Sequence, residues 1–253
     1  MTSIQLAEVV MDHPGDKTQV MLDFYAMLTG FTPYLNETAN SMLENENGVD
    51  IGLQPVEGYR GPTWPTQERG QQIHFDFATD DFEAAVTLAE SMGATRAPNQ
   101  GDHGWIVMLD PVGHPFCFVQ HRDEIDGDRR PASEDGPSIK IRGPFIDCPD
   151  QHALAAFYLG LLGGQTIIDE DDYVVIVTET GRPLAFQRVE GYRAPTWPTQ
   201  ERGQQMHFDV YVDDMEEAQN RAIELGAKLV DDSHDGFHVL LDPAGHPLCL
   251  CQA

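Results

Sequence analysis

The stretch Val56–Asp76, VEGYRGPTWPTQERGQQIHFD, returns as Val189–Asp209, VEGYRAPTWPTQERGQQMHFD, with only Gly61/Ala194 and Ile73/Met206 differing. A match of 19 residues in 21 at an offset of 133 marks an internal duplication, and so long a period excludes a solenoid array. The 253-residue chain therefore reads as one domain written twice, each copy long enough to bury a core of its own. The copies run over 1–120 and 138–253. The segment between them, 121–137 (HRDEIDGDRRPASEDGP), is charged, carries Pro and Gly, lacks apolar periodicity and reads as the linker.

Working outward from the repeat, each half shows the same order of elements twice. Ile4 to Met11 reads as a strand. Thr18 to Thr29 then carries Val20, Phe24, Met27 and Leu28 at helical spacing and stops at Gly30. Short segments at Thr32 to Leu35, Ser41 to Glu46 and Val49 to Pro55 read as a meander. Gln72 to Thr79 opens a second strand–helix–meander unit, whose helix is expected to be capped by Asp80 with Glu83 and ended by Gly93. Trp105 to Leu109 and Pro115 to Gln120 close it around the turn Asp110–His114. The second half repeats the scheme, with a helix over Ala153 to Leu162, strands at Tyr173 to Thr178 and Pro183 to Gln187, and a capping box at Asp213 and Glu216. The expected class is α+β: four βαβββ units with curled mixed sheets and helices outside.

Composition narrows the function classes. Fifteen basic against 42 acidic residues give a net charge of −27, which repels a phosphate backbone or an anionic leaflet, so neither nucleic acid nor membrane is expected as a partner. The amino terminus has no basic leader and no long apolar run, and the four cysteines form no CxxC pair, so a reducing cytoplasm is expected. No phosphate loop, dinucleotide fingerprint or nucleophile triad is present.

Strand parity selects the candidate site. In Ile73-His74-Phe75-Asp76-Phe77 the apolar side chains share one face and His74 and Asp76 the other. By the same rule Cys117 opposes Phe116 and Phe118, and Gln54 opposes Leu53. Curling the sheet is expected to gather Gln54, His74, Asp76 and Cys117 into one concavity and Gln187, His207, Asp209 and Cys249 into another. His114 and His246, in Pro/Gly turns, read as solvated. The loop Glu57 to Gln71 is long for a compact domain, and it presents Trp64 between two prolines as Trp197 is presented in the second copy. Two roles stay open for these tryptophans: a wall or lid that stacks on a flat ligand, and a strap between units.

The order βαβββ twice per half, with HFDF opening the second unit and D-P-x-G-x-P-x-C closing it, resembles the vicinal oxygen chelate superfamily. That group includes glyoxalase I, extradiol dioxygenases, and fosfomycin- and bleomycin-resistance proteins, and the chain looks most like tandem glyoxalase-like proteins. The resemblance implies a divalent-metal site with His, Glu or Gln ligands from the first and last strands of paired units. Carried over, the opening-strand positions are Leu6 and Ile141, the next Gln54 and Gln187, then His74 and His207, then Cys117 and Cys249. One His, one Cys and one Gln is a poor set for a catalytic cation, so no metal and no other cofactor is expected. The expectation is a protein holding a small, largely apolar or aromatic metabolite or drug in two equivalent cavities, as a monomeric pseudo-dimer or a homodimer. A metal-dependent lyase, isomerase or dioxygenase and a structural pseudo-dimer without ligand are the alternatives. Whether the chain is an enzyme stays open.

Overall fold

In a computed structural model, which describes residues 3–34, 41–44, 49–98, 100, 104–122 and 136–253, four βαβββ units follow one another. The first has β1 (Ile4–His13), α1 (Thr18–Thr29), β2 (Thr32–Tyr34), β3 (Ser41–Glu44) and β4 (Asp50–Pro55). The second has β5 (Ile73–Thr79), α2 (Phe82–Ser91), β6 (Thr95–Arg96), β7 (Trp105–Leu109) and β8 (Pro115–Gln120). The third has β9 (Ile139–Cys148), α3 (Gln151–Leu162), β10 (Gln165–Asp169), β11 (Tyr173–Val177) and β12 (Pro183–Arg188). The fourth has β13 (Met206–Val212), α4 (Met215–Glu224), β14 (Lys228–His234), β15 (Phe237–Leu241) and β16 (Pro247–Gln252). Most of the expected linker, 123–135, and the expected strand ends at Leu35 and at 45–46 lie outside the described residues.

Helix α1 forms where Met21, Leu22, Phe24, Tyr25 and Leu28 recur on one face and bury it, and it stops at Gly30, whose φ of 73° suits a residue without a side chain. The caps of α2 and α4 fall one residue later than the capping-box reading. Asp81 Oδ1 accepts from Ala84 N, and Asp214 Oδ1 from Glu217 N, each at 3.0 Å. Both aspartates have the extended backbone a cap requires and sit directly before the first helical residue. Strands β10 and β14 were not expected from sequence. They lie on the outer edges of the sheets, carry mixed polar sequences and have register shifts that blur the period of two.

The sheets are built across the repeats. One runs β14-β15-β16-β13-β1-β4-β3-β2 and the other β10-β11-β12-β9-β5-β8-β7-β6. Within every unit the opening strand pairs in parallel with the closing one, which leaves the opening strand's other edge unsatisfied. These edges meet antiparallel, β1 with β13 and β5 with β9. The first unit therefore shares a sheet with the fourth, and the second with the third. This corrects the expected grouping: Gln54 belongs to the concave face that carries His207, Asp209 and Cys249, and Gln187 to the face that carries His74, Asp76 and Cys117.

The faces away from the concavities share one buried cluster that draws on both sheets and all four helices. Tyr25 of α1 packs with its ring 6.3 Å from Phe75 and 6.5 Å from Phe77, and Tyr158 of α3 lies 5.3 Å from Phe186 and 5.7 Å from Phe208. Each tyrosine thus binds the sheet of the other pair as well as its own unit. Truncating one of these phenylalanines to Ala would cost about 3 to 5 kcal/mol. Tyr25 Oη donates to Asp110 Oδ2 (3.0 Å) and Tyr158 Oη to Asp242 Oδ2 (3.1 Å). The turns holding these aspartates carry His114 and His246, which are fully buried rather than solvated. His114 Nε2 lies 2.8 Å from the Asp12 carbonyl and 3.0 Å from Tyr59 Oη, and His246 Nε2 lies 3.0 Å from Tyr192 Oη.

A reciprocal clasp joins the duplicated loops to the opposite half. Gln72 Nε2 donates to the Arg193 carbonyl and Gln205 Nε2 to the Arg60 carbonyl, while Tyr192 and Tyr59 donate to the respective amide oxygens. Both glutamines hold a left-handed backbone, φ 63° and 62°, which is strained for a residue with a side chain and persists here under these bonds. Retaining the boundaries 1–120 and 138–253 as a proposal, cleavage within 121–137 should leave two fragments that co-elute in size-exclusion chromatography without denaturant. Fragments that separate in native buffer would contradict the interlocked sheets.

Candidate functional site

The concave face of the β5/β9 sheet encloses a cavity of about 680 Å³. It is lined by Trp64, His74, Asp76 and Cys117 from the first repeat and by Gln187 from the second. Four of the expected residues of the first half and one of the second are therefore brought together. Gln54 and Trp197 line a separate pocket of about 160 Å³ on the β1/β13 sheet. His207, Asp209 and Cys249 form a cluster on that same concave face.

Strand alternation places His74 and Asp76 in the cavity while Phe75 and Phe77 enter the core. The loop before β5 braces itself: Thr63 N donates to the Arg69 carbonyl (2.8 Å) and Arg69 Nε to the Gly61 carbonyl (2.9 Å). That closure presents Trp64 against the small apolar group Ala78, Val107, Cys117 and Val119 at the cavity wall. The start of the loop takes part in the clasp, and Trp64 near its tip lines the cavity. Further aromatic lining that sequence reasoning missed comes from Trp105 of the same unit and from Phe145 and Tyr173 of the third unit, the last two brought to β5 only by the pairing of β5 with β9. Phe145 packs 5.4 Å from the His74 ring and 6.4 Å from Tyr173.

The polar floor has a definite protonation pattern. Burial pushes the His74 pKa down to about 4, so the ring is neutral near pH 7. Gln71 Nε2 lies 3.1 Å from both carboxylate oxygens of Asp147 and 3.1 Å from His74 Nδ1. Facing a carboxylate, that amide nitrogen must donate, which makes His74 Nδ1 an acceptor and places the ring proton on Nε2, 3.6 Å from Asp76. Asp147 is raised to about 7 by its burial, against the hydrogen bond from Gln71. Cys117 is raised well above the usual thiol range by burial and then by Asp76, so it stays a thiol and offers no nucleophilic thiolate. The floor presents an N–H donor beside a carboxylate acceptor.

The β1/β13 sheet carries the twin cluster with different neighbours. The opening-strand position opposite Asp209 is Glu8, and its counterpart opposite Asp76 is Gly143. This corrects the assignment of Leu6 and Ile141, both of which pack on the core. A bulge between Leu6 and Glu8, matched by one between Ile141 and Gly143, reverses the parity that counting along the strand assumes. Gly143 has a φ of 139°, and a Cβ there would lie 3.1 Å from the Pro183 carbonyl oxygen, so that place stays open. On the twin sheet the positions of Gly143 and Ala78 carry Glu8 and Tyr211, and Tyr211 Oη donates to Glu8 Oε1 at 3.4 Å. At His207 burial favours the neutral ring, but hydrogen bonding to Asp209 and Cys249 outweighs it and raises the pKa.

In each cluster one donor atom from His, Asp and Cys lies within 4.8 Å of the others: His74, Asp76 and Cys117, and His207, Asp209 and Cys249. An imidazole, a carboxylate and a thiol at that separation fit a borderline cation such as zinc, with three protein ligands, and do not fit a hard cation that wants only oxygen. The expectation of metal-free cavities rested partly on the Leu6 and Ile141 assignment, and Glu8 removes that argument for the β1/β13 cluster.

Burial, then the charges of Asp209 and Asp50, raise the Glu8 pKa from 4.5 to about 7. A carboxyl raised on folding holds its proton longer in the folded state, so its contribution is full below pH 4.5 and is lost as pH rises to about 7. Glu8→Gln should therefore be more stable than wild type at pH 8, by up to about 3 kcal/mol, and not at pH 4.5. Urea unfolding at both values checks this.

A family model for the glyoxalase-like domain matches residues 8–119 and again 144–251. Among solved structures, glyoxalase I from Zea mays superposes with a TM-score of 0.62 at 15% identity, covering 99% of this chain and 93% of that one. A point mutant of the same maize enzyme gives 0.65 at 16%, covering 99% and 93%. A Bacillus subtilis protein provisionally described as a dioxygenase gives 0.60 at 14%, covering 98% and 84%. No curated protein matches the sequence. Likeness at these identities speaks for the fold alone, whereas the family match spans both repeats. Carrying two tandem copies in the βαβββ architecture of the vicinal oxygen chelate superfamily, the chain belongs to the glyoxalase-like domain family.

Proposed function

We propose that the chain binds a small, flat, largely apolar or aromatic molecule in the cavity of the β5/β9 sheet. One observation carries this reading: about 680 Å³ of space with Trp64, Trp105, Phe145 and Tyr173 in its wall, beside polar groups that include His74, Asp76 and Gln187 and the guanidinium groups of Arg122, Arg142 and Arg188. That size, with flat aromatic surfaces and convergent polar groups side by side, suits a metabolite-sized ligand whose ring carries a polar edge. Stacking on Trp64 holds the ring, while the N–H of His74 and the carboxylate of Asp76 orient a polar edge. On the twin sheet, among the described residues, Glu8 and Tyr211 stand where Gly143 and Ala78 stand here, which favours this cavity as the binding site.

The test is a thermal-shift screen of flat aromatic metabolites followed by titration. A bound member should raise the melting temperature in proportion to the logarithm of its concentration. Trp64→Ala should weaken it about 2- to 12-fold, the equivalent of roughly 0.5 to 1.5 kcal/mol of stacking, while Trp197→Ala leaves it unchanged. Unchanged affinity in Trp64→Ala with a large loss of stability would reduce the tryptophan to a strap. A screen without any saturable binder favours the structural pseudo-dimer.

A second reading, a metal-dependent lyase, isomerase or dioxygenase, is favoured by the His74, Asp76 and Cys117 donors converging within 4.8 Å at the same cavity. These three residues would hold the ion, which would supply Lewis-acid polarisation of a bound oxygen. Metal content separates the two readings. Protein exposed to zinc, manganese, nickel or iron and then dialysed should retain no equivalent that His74→Ala removes; retention of one would favour the enzyme.

A further inference from the structure

The small pocket on the β1/β13 sheet differs from the larger cavity in kind as well as size. It holds about 160 Å³ among Asp12, Gln54, Val56, Trp197, Pro198 and Gln204. Asp12 and Gln54 are register partners on the parallel strands β1 and β4, so their side chains stand side by side on the concave face. Asp12 is 1% exposed; its Oδ1 accepts from Gln204 Nε2 at 3.0 Å, and its Oδ2 has no partner among the described residues. Gln54 Oε1 is likewise buried and unpartnered. The corresponding carboxylate of the other sheet, Asp147, has both oxygens within 3.1 Å of Gln71 Nε2, so the unmet acceptors belong to this pocket specifically. Nearby histidines do not supply the missing donor. His207 is turned with Nε2 toward Asp209, His114 Nε2 is taken by the Asp12 carbonyl and Tyr59, and His13 Nδ1 by the Pro14 carbonyl.

We propose that this pocket binds a small organic cation, the ammonium head of a primary amine, with N–H groups donated to Asp12 Oδ2 and Gln54 Oε1 under the ring of Trp197. Two unmet acceptors, one of them a buried carboxylate, call for donors and positive charge together. An indole wall adds cation–π attraction, which an ammonium carrying a carbon substituent exploits while filling the apolar side at Val56 and Pro198. A bare alkali ion has no N–H groups to donate and no carbon substituent to place against Val56 and Pro198. The net charge of −27 concentrates cations at the surface and aids their entry.

Isothermal titration of the full chain with methylammonium chloride, against potassium chloride at equal ionic strength, tests the assignment. One saturable site is expected for methylammonium and none for potassium. Asp12→Asn should weaken binding at least about tenfold, as loss of a charge-assisted bond does, and Trp197→Leu several-fold, with Asp147→Asn without effect. Should Asp12→Asn fail to fold, Gln54→Lys replaces the ligand with a tethered ammonium and should abolish methylammonium binding while raising the melting temperature. Absence of saturable heat, equal binding of potassium, or methylammonium binding that survives in Gln54→Lys overturns the proposal. None of these results bears on the larger cavity.

Discussion

The antiparallel meeting of opening strands, β1 with β13 and β5 with β9, is the contact on which the rest of this molecule depends. A βαβββ unit leaves the outer edge of its first strand without hydrogen-bond partners, and an unpaired edge buried between units would leave a row of backbone groups unsatisfied. Four such edges satisfy one another in two pairs. Because each pairing joins units from different repeats, the concave faces are composite, and the lining of the larger cavity comes from both halves of the chain.

Buried polar contacts fix how the two sheets sit on each other. Tyr25 with Asp110 and Tyr158 with Asp242 place a hydroxyl–carboxylate pair at each end of a shared apolar core. Asp110 and Asp242 are held by backbone N–H groups of their own turns, and the histidines of those turns reach Tyr59 and Tyr192 in the duplicated loops of their own halves. Each such bond is worth only about 1 kcal/mol net, yet removing one partner strands a buried group at greater cost, so the network sets geometry more than it adds stability. The strained glutamines 72 and 205 belong to the same system, exchanging backbone comfort for bonds across the repeats.

Symmetry in the scaffold and asymmetry in the concavities follow from different residues. The nearly identical loops and the turns build matching frames, while a few substitutions on the concave faces, Glu8 against Gly143 and Tyr211 against Ala78, decide whether a frame stays open. On one sheet the result is an aromatic-walled cavity with a neutral histidine. On the other it is a small acidic pocket beside a histidine whose pKa is raised.

The sequence by itself determined the duplication, the βαβββ order, most element boundaries and the common face of His74, Asp76 and Cys117, because these rest on local periodicity and on a repeat that is visible without folding. The glyoxalase-like family was legible for the same reason. Tertiary structure alone decided which units share a sheet, and so moved Gln54 and Gln187 to opposite cavities, since edge pairing is a contact between segments more than a hundred residues apart. It also decided the parity of Glu8 and Gly143, where a bulge breaks the period of two, and the burial of His114 and His246, whose turn-like local sequence carries no trace of the loop that closes over them. Cavity size was out of reach from sequence, because it depends on how side chains from seven strands fill the space between them.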